Sequence, residues 1–141
     1  MDKRTVSNEI LLEDAARLME EGREVTFRPL GTSMLPFIRG GRDSVHLRKM
    51  DDVAVGDIIL IRLPGPRYVL HRLIAIEGEN LTLMGDGNIS GTEHCTKADV
   101  LGTVMAIERG KRLVKPGDGL WWRRLPRFFR RYFLAIYRRI L

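Results

Sequence analysis

The sequence contains few of the features that assign a protein to a special class. Cys95 is the only cysteine among 141 residues, which excludes an intramolecular disulfide and a zinc site built from cysteines. No uninterrupted apolar stretch approaches the ~20 residues of a membrane-spanning helix. The N-terminal 21 residues are charged every few positions, so no cleavable secretory signal is visible. These absences predict a cytoplasmic protein whose membrane contact, if any, is peripheral and on the inner face.

Acidic residues are missing from segment 119–141, which carries seven arginines. Because the whole chain has a net charge of +6, residues 1–118 carry a net charge of −1. The same segment holds seven of the ten aromatic residues. A nearly neutral body lacks the basic surface of a nucleic-acid-binding domain, so nucleic acid is not an expected partner.

The body has the pattern of a mainly β protein. Residues 8–21 predict an amphipathic helix; the apolar stripe consists of Ile10, Leu11, Ala15, Leu18 and Met19. Short β-like runs separated by turn residues follow, at 25–30, 44–47, 57–63, 68–76, 80–84 and 100–108. We expect an open antiparallel β assembly with helices only at the ends. The predicted division is an N-terminal helix in 1–24, a β domain in 25–114, and a hinge with a C-terminal helix in 115–141.

Two clusters contain a nucleophile and a base. Ser33 lies in the turn Gly31-Thr32-Ser33-Met34-Leu35-Pro36 after a strand, which can direct its hydroxyl and its backbone N–H into a groove. An ordinary hydrogen-bonded turn serine would have the same setting. His71 shares a strand face with apolar neighbours, and such surroundings keep an imidazole neutral, as a general base requires. A core histidine bonded to a carbonyl is the alternative.

A third cluster supplies carboxylates. Met84-Gly85-Asp86-Gly87-Asn88 has the composition of a tight turn, and Glu93 follows shortly after. A carboxylate from this region could orient an imidazole on a neighbouring strand, as the third member of a triad does. The spacing of Asp86, Glu93, His94 and Cys95 matches no established metal-ligand pattern, so no metal and no cofactor are expected.

The order of these clusters resembles that of the signal peptidase and LexA-type serine peptidases. The pattern consists of Gly31-x-Ser33-Met34-x-Pro36, Val55-Gly56-Asp57-Ile58-Ile59, Val69-x-His71-Arg72, Gly85-Asp86-x-Asn88 and Asp99-Val100-x-Gly102. Each box is common, but five in this order over residues 25–107 are specific. Within the clan the sequence is most similar to the branch with a histidine base, which includes the signal peptidase of the endoplasmic reticulum and archaeal enzymes.

The resemblance implies a fold of coiled antiparallel sheets and a role for each box. Ser33 would be the nucleophile, and His71 would take its proton and return it to the leaving amine. Either Asp86 or Glu93 would orient His71. The backbone N–H of Ser33 would form part of the oxyanion hole; Thr32, Met34 and Pro36 would complete the oxyanion and substrate-binding positions.

The sequence departs from the family pattern at three points. Relatives often have a serine as a second oxyanion donor where this chain has Gly31, and Thr32 would need a different geometry. The acid of the eukaryotic relatives would fall on Thr92, with Glu93 one residue away. These peptidases also usually have an N-terminal membrane anchor, and residues 1–24 predict none.

The tail predicts a second amphipathic helix. Its apolar positions recur at helical spacing on one stripe, which consists of Leu125, Phe128, Phe129, Tyr132, Phe133, Ile136 and Ile140. Sixteen residues form a helix of roughly 24 Å, which is too short to cross a bilayer. The stripe could lie on an anionic membrane surface or pack back onto the body. RNA binding is a third and weaker interpretation.

The main hypothesis is therefore a serine endopeptidase that cleaves leader or precursor peptides bound as an added strand. One alternative is a non-catalytic peptide-binding module on the same fold. Another is a LexA-like regulator that cleaves itself; about two dozen residues before the first strand are too few for a helix-turn-helix domain, and the sequence contains no Ala-Gly dipeptide.

Overall fold

The structure is a computed structural model that describes residues 8–140. It contains three α-helices and eight strands within this range. The helices are α1 (Asn8–Glu20), α2 (Leu120–Arg123) and α3 (Arg127–Ile140). The strands are β1 (Val25–Phe27), β2 (Ser44–Arg48), β3 (Ile58–Leu63), β4 (Arg67–Glu77), β5 (Asn80–Met84), β6 (Glu93–Thr96), β7 (Val100–Arg109) and β8 (Arg112–Val114).

The strands form one antiparallel sheet in the order β1-β2-β7-β3-β4-β5-β6, with β8 also paired to β7. This confirms the prediction of a mainly β, open antiparallel fold with a helix at each end. β7 joins the two halves of the sheet because β2 pairs with one of its edges over Thr103–Glu108. Its other edge pairs first with β3, around Gly102, and then with β8, around Glu108.

The core lies on both faces of the central strands. Ile58 and Leu60 of β3 contribute to one apolar cluster, and Ile59 and Ile61 contribute to the other. This alternation follows from the two-residue period of a strand, and all four side chains are buried because both faces are covered. Both faces of β3 are therefore buried.

Helix α1 covers the first cluster with Leu12, Ala15 and Met19, which are buried at the spacing of one helix face. Ala15 and Met19 were predicted to lie on the apolar stripe. The side chains of Ile10 and Leu11, also predicted for that stripe, lie outside the described residues. Within residues 8–140, no helix has the length and apolar content needed to cross a membrane.

The C-terminal segment is fastened to the body at several points. Leu134 of α3 is buried in a third cluster with Leu35 and Trp122. Segment 115–119, predicted as a hinge, forms neither helix nor strand, but the carbonyl of Gly117 accepts a hydrogen bond of 2.8 Å from Arg72. The segment is therefore bonded to the β domain just before α2 begins.

Candidate active site

A groove of about 650 Å³ runs beside β1 and β4. Its walls come from α1, the loop after β1, β3, β4 and the start of β6, and they include Leu12, Phe27, Leu30, Leu60, Tyr68 and Leu70. Ser33, His71 and Glu93 also line this groove. The fold thus brings the predicted nucleophile, the predicted base and one of the two candidate acids to a single surface.

The turn that carries Ser33 has a backbone that requires glycine before it. Gly31 has a φ of +88°, a conformation that residues with a Cβ rarely adopt. Gly40 packs against Gly31, and a Cβ on Gly40 would be 2.7 Å from the backbone of Leu30. A serine at position 31 would be strained in this turn, so the chain has no side-chain oxyanion donor at that position. Ser33 itself is half-buried.

His71 is oriented by Glu93. His71 is in the middle of β4, opposite Ile59 of β3, and is 8% exposed. Its Nδ1 forms a short hydrogen bond with Oε1 of Glu93. Glu93, the first residue of β6, pairs with Leu83 of β5, and Leu83 pairs with Leu73, two residues from His71 on β4. A carboxylate at Nδ1 favours the tautomer that leaves Nε2 without a proton, which is the atom a general base uses.

Gly85 shows how close His71 lies to the nucleophile turn. A Cβ added to Gly85 would clash with the carbonyl oxygen of Ser33 and lie 3.0 Å from Nε2 of His71. The backbone of Ser33 and the imidazole therefore lie against the same glycine. The two side chains do not hydrogen-bond to each other in the described structure. Such contacts are often long in a substrate-free enzyme and shorten when the substrate binds.

Asp86, the other candidate acid, bonds to Arg72 and not to His71. Both side chains of this pair are completely buried, and Nη2 of Arg72 lies 2.6 Å from Oδ2 of Asp86. Nε of Arg72 lies 3.2 Å from each carboxylate oxygen. Desolvation raises the pKa of Asp86, although the hydrogen bonds and charge of Arg72 oppose the shift. The geometry therefore places Asp86 in a structural ion pair beside the site and Glu93 at the imidazole.

Arg72 and Asp86 also tie distant segments together. Nη1 of Arg72 donates to the carbonyl oxygens of Gly56 and Gly117, both at 2.8 Å. The indole N–H of Trp122 donates to the backbone carbonyl of Asp86 at 2.7 Å. The box around Gly56 and the box around Asp86 are thus connected through one guanidinium.

The remaining predicted site positions differ in where they point. Met34 lines the groove, and its sulfur accepts the backbone N–H of Asp86 at 3.5 Å. Thr32 and Pro36 lie outside the groove lining in the described structure. The hydroxyl of Thr32 lies 3.4 Å from Nε of Arg138 on α3. The Thr32 side chain therefore contacts the C-terminal helix.

The residues considered for a metal are directed to separate partners. Glu93 bonds to His71 and Asp86 bonds to Arg72, whereas His94 lies near the hydroxyls of Thr82 and Thr92. The described residues contain no cluster of three or more His, Cys, Asp or Glu side chains that could hold a metal ion.

Two contributors to this region have no sequence signal of their own. Arg72 and Arg138 are ordinary basic residues in the sequence, and only the fold shows what they bond. Arg72 directly follows His71 in the box Val69-x-His71-Arg72, and this position is the one indication in the sequence that it belongs to the site. Arg138 belongs to a run of arginines, and nothing in that run distinguishes it.

Comparison of the chain with protein-family models found no match, and comparison with curated proteins found none either. The relation to signal peptidase and LexA-type enzymes therefore stays a prediction from the five sequence boxes.

Proposed function

We propose that this protein is a serine endopeptidase with Ser33 as nucleophile, His71 as general base and Glu93 as the acid that orients His71. The observation that supports it most directly is the placement of the imidazole. Its Nδ1 is bonded to Glu93 and its Nε2 faces the glycine that the Ser33 backbone touches. An imidazole oriented by a carboxylate, next to a turn serine in a groove, is the arrangement needed for nucleophilic catalysis.

The reaction follows from these positions. Nε2 of His71 takes the proton from Oγ of Ser33 as that oxygen attacks the peptide carbonyl carbon, giving a tetrahedral intermediate. The imidazolium then protonates the departing amine as the C–N bond breaks, which leaves an acyl ester on Ser33. A water molecule, deprotonated by His71, hydrolyses the ester and restores the serine. Glu93 stabilises the imidazolium in both steps.

The backbone N–H of Ser33 is the proposed oxyanion donor. Within the described residues this N–H donates to no protein acceptor, so it is available to a developing alkoxide. One such donor is typically worth ~3 kcal/mol of transition-state stabilisation. Position 31 is a glycine with a positive φ, so no side chain there can donate to the oxyanion. A second donor would have to be another backbone N–H, or a group that reaches the oxyanion only when the substrate is bound.

The proposed substrate is an extended leader or precursor peptide; the resemblance to signal peptidases, and nothing else, implies small residues near the cut. β1 pairs with β2 on one edge, and its other edge has no strand partner in the described structure. An extended peptide can add to such an edge through main-chain hydrogen bonds. The apolar walls of the groove would receive alternate side chains of the peptide beside Ser33.

A fluorophosphonate probe and a set of leader peptides test the activity. The wild type should be labelled and should cleave at least one peptide, whereas Ser33→Ala and His71→Ala should lose both reactions and keep the wild-type circular dichroism spectrum. Ser90→Ala is the matched control because Ser90 is exposed and lies outside the groove lining. Burial raises the pKa of Cys95 to about 11, so its thiol is protonated at neutral pH and does not compete for the probe. Full activity in either active-site variant would refute the proposal.

A non-catalytic peptide-binding module is the second candidate, since Ser33 and His71 do not hydrogen-bond to each other. The same experiment separates the two. A wild type that binds peptide in the groove but shows neither labelling nor cleavage would be a binding module.

We also propose that α3 associates peripherally with an anionic membrane. Leu125 of the predicted apolar stripe packs against the third cluster, but the rest of the stripe, on α3, faces outward: Phe128 is 67% exposed and Tyr132 is 63% exposed. The helix is attached to the body by its other face, through Leu134. Segment 119–141, which includes α3, contains seven arginines and no acid, so its charge is complementary to an anionic lipid surface.

Co-sedimentation with vesicles tests the membrane proposal. The protein should bind vesicles that contain phosphatidylglycerol and phosphatidylcholine, and bind phosphatidylcholine vesicles much less. Phe129→Ser combined with Ile136→Ser should abolish binding. Leu113→Ser is the control because Leu113 is equally apolar and 62% exposed on β8. Equal binding to both vesicle types, or a dimer in solution that buries α3, would contradict the proposal.

A further inference from the structure

Arg138 on α3 contacts both loops that meet at the candidate site. Its Nη2 donates to the carbonyl oxygen of Gly87 at 2.9 Å. Its Nε lies 3.4 Å from the hydroxyl oxygen of Thr32, the residue directly before Ser33. One guanidinium therefore spans the turn 31–36 and the loop 85–88 without lining the groove.

The two loops are already in close contact with each other. The N–H of Gly87 donates to the carbonyl oxygen of Ser33 at 2.8 Å. A Cβ on Gly87 would clash with the carbonyl oxygen of Thr32 and lie 3.1 Å from the carbonyl carbon of Ser33. A shift of the 85–88 loop would therefore move the backbone of Ser33 with it.

Other contacts hold α3 in the position that allows this bridge. Leu134, one helical turn before Arg138, is 1% exposed between Leu35 and Trp122. At the start of the helix, Nη2 of Arg127 donates to the carbonyl oxygen of Ile89 at 2.7 Å. A helix of this length is marginal in water by itself, so these tertiary contacts keep it in place.

We infer that Arg138 is a positioning residue: by clamping the Thr32 hydroxyl to the Gly87 carbonyl, it sets the backbone of Ser33 relative to His71. This inference rests on the proposed peptidase function, and it adds the C-terminal helix to the parts that the reaction needs. A guanidinium suits the task because its planar set of donors bonds two acceptors in a fixed geometry. Arg138 is not among the residues that line the groove, so it makes no direct contact with a peptide bound there.

The test uses the full chain with Arg138→Ala, Arg138→Lys and the control Arg139→Ala. Arg139 carries the same charge on the next residue and is exposed. Arg138→Ala should lower the rate constant of Ser33 labelling by about tenfold to a hundredfold, because a small misplacement of a reacting group lowers a reaction rate by this amount. The final labelled fraction and KM should stay at wild-type values while kcat falls. Arg138→Lys should restore part of the rate, because an ammonium can bond the Gly87 carbonyl but cannot span both acceptors in the same plane. Arg139→Ala should label like the wild type.

A second measurement keeps the inference separate from the peptidase proposal. Hydrogen exchange at the Gly87 amide, which bonds the Ser33 carbonyl, should become at least about tenfold faster in Arg138→Ala than in Arg139→Ala. A wild-type protein that is neither labelled nor active would refute the proposed function, and the exchange result would still decide whether Arg138 holds the turn. Unchanged exchange in Arg138→Ala would overturn the inference, as would an unchanged labelling rate constant in an active protein. A smaller labelled fraction with an unchanged rate constant would mean that Arg138 serves folding alone, and it too would overturn the inference.

Discussion

Replacing Asp86 with alanine distinguishes a structural role of this buried carboxylate, in the ion pair with Arg72, from a role in the chemistry of the site. The substitution leaves the guanidinium of Arg72 without its carboxylate in a place where its side chain is completely buried. The two remaining acceptors of Arg72 are the backbone carbonyls of Gly56 and Gly117, and neither carries a full charge. The unpaired charge is therefore the main consequence of the change.

The size of the effect follows from this burial. Removing one member of a buried ion pair typically costs about 3–5 kcal/mol. Single domains are stable by roughly 5–15 kcal/mol, so Asp86→Ala should lose between about a fifth and nearly all of the free energy of unfolding. With an m-value of about 2 kcal/mol per molar urea, the midpoint of urea unfolding should fall by roughly 2 M.

Tryptophan fluorescence in a urea titration measures this change, because Trp122 is buried and bonded to the backbone of Asp86. Asp51→Ala, at an exposed position, should stay within about 0.5 kcal/mol of the wild type. The double variant Arg72→Met with Asp86→Leu should recover most of the loss, since replacing both charges with apolar side chains is often neutral.

A different result would refute the structural assignment of Asp86. If Asp86→Ala unfolds within about 1 kcal/mol of the wild type but no longer hydrolyses peptides, the carboxylate acts in the chemistry and the ion pair with Arg72 is incidental.

Two further predictions concern other carboxylates. Glu93→Gln should lower kcat by about 10²- to 10⁴-fold, because an amide can present its NH₂ group to Nδ1 of His71 and favour the wrong tautomer. Glu79→Gln, at an exposed position, should leave kcat unchanged. Equal kcat values in steady-state assays of the two variants would contradict the role of Glu93. Desolvation raises the pKa of Asp43, but hydrogen bonds from Arg42 and from a backbone amide outweigh it, and the net shift is downward. Asp43 therefore stabilises the fold at pH values above its unfolded pKa of ~3.9. This stabilisation is lost as the pH falls through the lower pKa of the folded state. Urea titrations between about pH 5 and pH 2 should show a flatter pH dependence for Asp43→Asn, and an unchanged slope would contradict the assignment.

The strands that could be predicted from the sequence are those with buried side chains. β3 and β4 carry long apolar patterns. Three of their four ends lie one residue away from the predicted positions, and the fourth coincides. β6 and β8 were not predicted: Glu93–Thr96 is polar and alternates between half-buried and exposed positions, and Arg112–Val114 has only three residues, none of them buried. Such strands form because a neighbouring strand offers backbone partners, which a single sequence does not show.

The candidate site could be predicted only as a set of alternatives. The turn around Ser33 and the apolar strand around His71 have local signals, and the structure brings both to one groove. Which acid reaches His71 depends on where β5 ends and β6 begins, so the choice between Asp86 and Glu93 required the fold. The tail is similar, because helical periodicity defines a stripe but does not say which face meets the body.

The buried contacts of Arg72 and Asp86 have a consequence for the order in which the chain is made. Synthesis runs from the N-terminus, so the strands that contain this pair leave the ribosome before Gly117 and Trp122, which supply an acceptor and a donor to it. Until those two residues emerge, a nascent β domain holds an incompletely bonded charge in its interior. The segment that follows β8 therefore completes the bonding of a pair whose members lie much earlier in the chain.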